Sequence, residues 1–196
     1  MCGFVGYVKN SDNKIIDKSI ISNMNKALSH RGPDNENYFE TENLIFGFSR
    51  LSIIDLNSRS NQPMKTNNNE FIIVFNGEIY NYLEIRKELS QFFEFNTAGD
   101  TEVLLNAYRQ WGTECLHKIK GMFSFCIYDK KKNILFCARD HFGQKPFFYF
   151  YDNTNFVFAS ELRSLIKFPL INKKLNTQSI TNYLHYDAFV GDETII

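Results

Sequence analysis

An α+β fold, with antiparallel sheets and helices outside them, is predicted by three observations. The apolar strand patterns come as neighbours joined by short turns, as in 122–129 with Ile134–Arg139 and 146–151 with 156–159, which is hairpin spacing. Helical patterns fall between groups of strands, giving the order β-α-ββ-β-αα-ββββ-α and a layered arrangement. Twenty Phe and ten Tyr among 196 residues favour sheet over a helical bundle. That length suits one domain with a substantial core.

In chain order, 3–8 reads as a short, largely buried strand with Cys2 at its leading edge. Ile16, Ile20, Met24, Ala27 and Leu28 recur near the helical period. That helix stops at His30-Arg31-Gly32-Pro33-Asp34, where Gly and Pro break it. Tyr38-Phe39 and 44–48 are strands across a polar turn. Arg50-Leu51-Ser52-Ile53-Ile54-Asp55 then leads into an Asn- and Ser-rich loop ending at Gln62-Pro63-Met64. The stretch 71–75 has no polar face, the mark of a central strand covered on both sides. It runs into Asn76-Gly77, a common tight-turn pair. Tyr82, Ile85, Leu89 and Phe92 mark a helix, and Phe93-Glu94-Phe95 a short strand. Val103, Leu104, Ala107 and Trp111 mark another helix after Thr97-Ala98-Gly99-Asp100. A third, around Leu116 and Ile119, is expected to end at Gly121. After the four hairpin strands, 161–166 and 176–186 read as short helices, the second with Ile180, Tyr183 and Leu184 along one side.

Composition narrows the function classes. Hydrophobic content of 43% and charged content of 22% are ordinary for a soluble globular protein. Net charge is zero with no block of one sign, so no nucleic-acid surface is expected. No apolar run approaches the roughly 18–20 residues of a membrane span, and the N-terminus lacks a signal-peptide pattern. A cytoplasmic protein is the expectation. Cys2, Cys115, Cys126 and Cys137 have no zinc-ligand spacing. Cys126 and Cys137 lie on strands joined by Lys130-Lys131-Lys132-Asn133 and are expected to face each other as small buried apolar residues.

Cys2 opens the functional question. If Met1 is removed, Cys2 carries a thiol and a free α-amine, with unperturbed pKa values of about 8.5 and about 7.7–8.0. The amine can then generate the nucleophilic thiolate without a histidine. Arg50, Asn76-Gly77 and Asp100 sit where loops meet strand ends, the usual place for chemistry. Each has a plain structural reading as well: a surface charge for Arg50, a turn for Asn76-Gly77, a helix N-cap for Asp100. Together they describe a site for a small zwitterionic amide. An Asn side chain beside a Gly N–H suits a tetrahedral oxyanion. Arginine binds a carboxylate bidentately, and an aspartate pairs with an ammonium.

With these residues in view, the chain resembles the class II glutamine amidotransferase domain, an N-terminal-nucleophile hydrolase, and specifically that of glutamine-hydrolysing asparagine synthetases. The matching elements are Met1-Cys2-Gly3, Arg31-Gly32-Pro33-Asp34, Arg50-Leu51-Ser52-Ile53-Ile54-Asp55 and Gln62-Pro63. They continue through Phe75-Asn76-Gly77-Glu78-Ile79-Tyr80-Asn81, Gly99-Asp100-Thr101-Glu102, Gly121-Met122-Phe123-Ser124-Phe125, Ala138-Arg139-Asp140, Gly143 and Lys145-Pro146-Phe147-Phe148-Tyr149. The resemblance implies a four-layer αββα sandwich of two antiparallel sheets flanked by helices. It makes Cys2 the nucleophile, with Asn76 and the Gly77 N–H as oxyanion donors. Arg50 would hold the α-carboxylate of L-glutamine beside main-chain groups near Leu51 and Ile53, and Asp100 and Glu78 would surround its α-ammonium. Phe48 stands near where many relatives carry a histidine, and a packing adjustment is expected there.

No Ser-Gly-Gly-x-Asp-Ser type pyrophosphate loop occurs in these residues. The resemblance therefore implies a glutaminase domain over 2–175, with 176–196 as the run-in to a synthetase domain outside this chain. ATP and magnesium are expected only for that domain, and no cofactor or metal for this one. The partners implied are L-glutamine and an ammonia-accepting synthetase domain or subunit, with a homodimer open. Two other readings stand beside this one. The chain is a non-catalytic remnant or partner-binding module, or it donates ammonia to a sugar or cell-surface precursor.

Overall fold

Two antiparallel sheets lie face to face among the described residues, 1–9 and 17–188 of a computed structural model. The first has the order β2 (Asn35–Glu40), β3 (Leu44–Arg50), β1 (Gly3–Lys9), β9 (Asn155–Ala159), β8 (Phe148–Tyr151). The second has the order β4 (Met64–Lys65), β5 (Phe71–Ile79), β6 (Gly121–Asp129), β7 (Ile134–Arg139). Helices α1 (Lys18–Lys26) and α4 (Leu162–Leu165) cover the outer face of the first sheet. Helices α2 (Tyr82–Leu89) and α3 (Asp100–Trp111) cover that of the second. A last helix, α5 (Thr177–Tyr186), follows. This is the four-layer αββα arrangement.

Strand alternation produces the layers. On β1, Val5 and Tyr7 pack toward α1 and α4, while Phe4 faces the other sheet. On β5, Ile73 and Phe75 pack under α3, while Ile72 and Val74 face inward. Phe4, Phe46, Phe48, Phe158, Ile72, Val74 and Cys126 form the dry layer between the sheets. Phe158 sits at its centre, with ring centroids 6.0 Å from Phe4 and 5.9 Å from Phe46. Gly6 makes room for it, since a Cβ there would fall 2.0 Å from that ring. Phe48 is fully buried in this layer, so a phenylalanine at that position is a packing residue.

Several expectations change. Asn76-Gly77 is no turn. Both residues continue β5 in register with Ser124 and Phe123 of β6, and an available partner strand outweighs local turn preference. Phe93-Glu94-Phe95 forms no strand. Phe93 and Phe95 instead lie under the guanidinium groups of Arg109 and Arg86, each 4.4 Å from the ring centre. Helix α2 ends at Leu89, leaving Phe92 beyond it and exposed. The helix expected near Leu116 is a 3-10 segment, Gly112–His117, and Gly121 opens β6 instead of closing a helix. Helix α5 exists with Asn176 as its cap, but Tyr183 and Leu184 are exposed, so no apolar stripe is buried there. The two-residue β4 falls at the end of the stretch expected to be loop. Ile16 lies outside the described residues. Cys126 and Cys137 are direct cross-strand partners with sulfurs 3.2 Å apart, as expected, but only Cys126 is buried and Cys137 is half-buried.

Candidate active site

The eight residues singled out from the sequence, Cys2, Arg50, Leu51, Ile53, Asn76, Gly77, Glu78 and Asp100, all line one cavity of about 150 Å³. It opens where the start of β1, the end of β3, the second half of β5 and the start of α3 converge.

The main chain of Leu51 brackets the Cys2 sulfur. The Leu51 N–H donates to Sγ at 3.3 Å, and the Leu51 carbonyl lies 3.5 Å away. Arg31 fixes the Cys2 backbone by donating from Nε to its carbonyl at 2.8 Å, and is itself paired through Nη1 with Glu161 at 2.8 Å. Gly32 is obligatory beside it, since a Cβ would meet the Ser49 carbonyl oxygen at 2.2 Å. Burial pushes the Cys2 thiol up, and the Leu51 N–H, the chain-terminal ammonium, Arg50 and Arg31 only partly offset it. With Met1 attached, the Cys2 nitrogen is a peptide amide and holds no lone pair for a proton.

The second half of β5 shows how one strand aims two kinds of donor. Ile72 and Val74 face the layer between the sheets, so the two-residue period places Asn76 on that same face, where Cys2 also packs. Asn76 is 2% exposed, and its Nδ2 has no hydrogen-bond partner among the described residues. The backbone alternates too. Opposite Gly77, the Phe123 N–H and carbonyl are turned to Asp140. The Gly77 N–H therefore points to the other edge of β5. On that edge the Phe75 N–H is taken by Gln62 Oε1 at 2.7 Å, and the Ile79 N–H by Asp100 Oδ2 at 3.0 Å. The Gly77 N–H lies between them and faces the cavity. A side chain at 77 would press on β6, with the new Cβ 2.4 Å from the Met122 carbonyl oxygen.

Asp100 is the first residue of α3, after a Gly99 cap, so it is not the N-cap that its position suggested. Burial dominates its carboxyl, and with Glu78 nearby the pKa is raised to about 6 despite bonds from Ile79 and the helix start. Glu78 is exposed at the rim. Ile53 is 71% exposed at the mouth. Arg50 is buried, and its guanidinium holds the 55–61 loop. Nη1 donates to the Asn57 carbonyl at 3.1 Å and to Asn61 Oδ1 at 2.7 Å, and Nη2 donates to the Asp55 carbonyl. Of its five donors, Nε–H and one Nη2–H have no partner among the described residues.

Other residues hold this frame, and nothing in their local sequence announces it. Asp55 accepts from the Asn57 N–H at 2.9 Å and the Ala98 N–H at 2.8 Å, tying the Arg50 loop to the segment before α3. Those two backbone donors hold its carboxyl down at about 2. Gln62 pairs both ends of its amide with the Phe75 backbone, its Nε2 donating to the Phe75 carbonyl at 3.1 Å, and so acts as a strand beyond the end of β4. Asp140 collects backbone N–H groups from Phe123, Phe142, Gln144 and Lys145. The motifs containing these residues were visible, but their partners lie in other segments.

The family model described as a glutamine amidotransferase domain matches residues 1–196. A putative glutamine-hydrolysing asparagine synthetase 2 of Methanocaldococcus jannaschii is 41% identical over 194 residues, spanning 90% of this chain and 37% of that protein. The glutamine-hydrolysing asparagine synthetase 1 of Bacillus subtilis is 46% identical over 169 residues, spanning 85% of this chain and 27% of that protein. The chain thus spans well under half the length of these curated relatives. Among solved structures, the glutamine phosphoribosylpyrophosphate amidotransferase of B. subtilis superimposes with a TM-score of 0.70 at 20% identity, over 83% of this chain and 42% of that one. That likeness carries the fold, including its paired sheets. No helix among the described residues is long and apolar enough to cross a membrane. By the match along its whole length, the chain belongs to the glutamine amidotransferase domain family.

Proposed function

We propose that this chain hydrolyses L-glutamine to L-glutamate and ammonia through a thioester on Cys2. The observation that carries this reading is the unpartnered Asn76 Nδ2, buried at the same cavity as Cys2 and beside the inward-facing Gly77 N–H. Buried donors without acceptors are rare in folded proteins. Such a donor near a thiol, with the Gly77 N–H beside it, suits an oxygen that becomes negative only during reaction.

In this reading Met1 is removed first, so that the Cys2 nitrogen becomes an amine able to take the thiol proton. The sulfur attacks the carboxamide carbon, and the carbonyl oxygen becomes an oxyanion held by Asn76 Nδ2 and the Gly77 N–H. The α-ammonium of Cys2 returns its proton to the leaving nitrogen, and ammonia departs as the thioester forms. Water then adds to the thioester carbon with the amine as base, the C–S bond breaks, and glutamate leaves with the thiol restored. Arg50 takes the α-carboxylate on its two remaining donors. Asp100 takes the α-ammonium, with Glu78 at the rim adding negative charge. Leu51 and Ile53 form the side wall.

The ammonia is meant for an aspartate-activating synthetase domain, since the relatives named above are asparagine synthetases. The glutaminase unit occupies 2–175, and 176–196 leads toward that domain. Intact mass and glutamate release measured on one sample test the proposal. The Met1-free chain is expected to release glutamate, and Cys2→Ala to release none. Undiminished release by Cys2→Ala would sink the thioester.

A further inference from the structure

Lys145 is buried at this cavity and none of the roles above uses it. It belongs to the loop between β7 and β8, and its backbone is held on both sides. Its N–H donates to Asp140 Oδ2 at 3.0 Å, and its carbonyl accepts from Arg139 Nε at 2.7 Å. The side chain is 6% exposed and lines the same cavity as Cys2, with Nζ 2.8 Å from Met1 Sδ. No carboxylate lies within 4.0 Å of Nζ among the described residues. A buried ammonium whose only side-chain hydrogen-bond partner among the described residues is a thioether is poorly compensated.

The charges around it are committed elsewhere. Arg31 is paired with Glu161 and bonded to the Cys2 carbonyl. Arg50 is bonded into the 55–61 loop. Asp140 takes four backbone N–H groups, and Asp100 takes that of Ile79. Glu78 is exposed at the rim. Departure of Met1 takes away the thioether and leaves the Cys2 thiol and α-amine lining the same cavity as this cation.

We propose that Lys145 is a positioning residue that sets the protonation of the Cys2 thiol and α-amine pair, its ammonium lowering the pH at which the pair loses its first proton. A fixed positive charge disfavours the thiol–ammonium state and favours the state with one proton fewer, whether that proton leaves sulfur or nitrogen. The proton goes to solvent, and the remaining pair is the form able to attack. This inference rests on the glutaminase reading for its purpose, but its first readout does not need glutamine.

The test uses the Met1-free chain, verified by intact mass. Iodoacetamide alkylation is followed at the Cys2 peptide as a function of pH. Lys145→Met should move the alkylation profile up by about one pH unit, and Lys145→Arg should hold it near the wild-type position. The acid limb of kcat/KM for glutamine should move with the alkylation profile. A purely structural lysine would lower rates at every pH without displacing the curve. Coincident profiles for Lys145→Met and wild type overturn the proposal, as does a Lys145→Arg curve displaced as far as that of Lys145→Met. Should Lys145→Met melt early, Lys145→Gln, polar but uncharged, carries the same expectation. A wild-type chain with the low alkylation profile but no glutamate release would overturn the glutaminase reading and leave the lysine's role intact.

Discussion

The two halves of β5 share one strand and obey opposite rules. From Phe71 to Phe75 every inward group is satisfied: Ile72 and Val74 fill the layer between the sheets, Ile73 and Phe75 fill the space under α3, and Gln62 closes the open backbone edge. From Asn76 to Ile79 the same ladder continues with β6, yet Asn76 Nδ2 is buried with no partner among the described residues, and Gly77 lines the cavity. The first half supplies rigidity, and the second half carries the donors that the proposed reaction uses. The carboxylates divide in the same way. Both line the cavity, but Asp55 is held at about 2 by two backbone N–H groups, whereas Asp100, dominated by burial with Glu78 nearby, is raised to about 6.

The sharpest way to break this contrast is Asn76→Ala. It should lower the rate of glutamate release by about 10²–10³, with a melting temperature no lower than wild type, because the group removed has no partner to strand. A large loss of stability would place Asn76 in the frame and not in the site. Next in size is Asp55→Ala, which removes the acceptor of the Ala98 and Asn57 N–H groups; both residues are exposed, so the loss is that of ordinary hydrogen bonds, about 0.5–1.5 kcal/mol each. Denaturant unfolding should show that loss. An unchanged midpoint would mean that the loop is held by Arg50 alone.

The smallest effects concern Asp100. Its folded pKa is raised above the ordinary carboxylate value, from 3.8 to about 6. The stability linked to its protonated form is therefore full below about 4 and lost as pH rises through about 6. Asp100→Asn, which removes the charge and keeps an acceptor for Ile79, should melt higher than wild type above pH 6 and alike below pH 4. The same carboxylate must be ionised to hold an ammonium, so the KM for glutamine should rise about tenfold per pH unit below about 6. A flat KM across that window would remove Asp100 from substrate binding.

Much of the site was legible because polar residues interrupt apolar strands at their ends. Cys2 precedes a strand, Arg50 closes one, and Asn76-Gly77 breaks into another. Their convergence was legible only as a set, through the chemistry of one zwitterionic amide. The conformation of Asn76-Gly77 was not, because a turn dipeptide becomes strand when a partner strand is present, and that partner begins at Gly121, 44 residues after Gly77. Gln62, Asp55 and Lys145 were equally silent. Their roles are hydrogen bonds and charges directed at distant segments, and no periodicity records those. Phe93-Glu94-Phe95 misled for the converse reason, since its β-favouring rings found arginines to cover them and no strand to pair with.

The seating of β1 carries a consequence for how the molecule comes into being. This first strand is flanked by β3 and by β9. Its Phe4 N–H donates to Ser160 Oγ at 3.0 Å, and its carbonyl accepts from the Ser160 N–H at 2.9 Å. Arg31, which steadies the Cys2 carbonyl, is in turn steadied by Glu161. During vectorial synthesis the opening residues must wait for residues 155–161 to leave the ribosome before their second edge is paired. The residue proposed to do the chemistry is thus made well before the strand that completes its alignment. A chain interrupted before β9 would carry the thiol without the geometry to aim it.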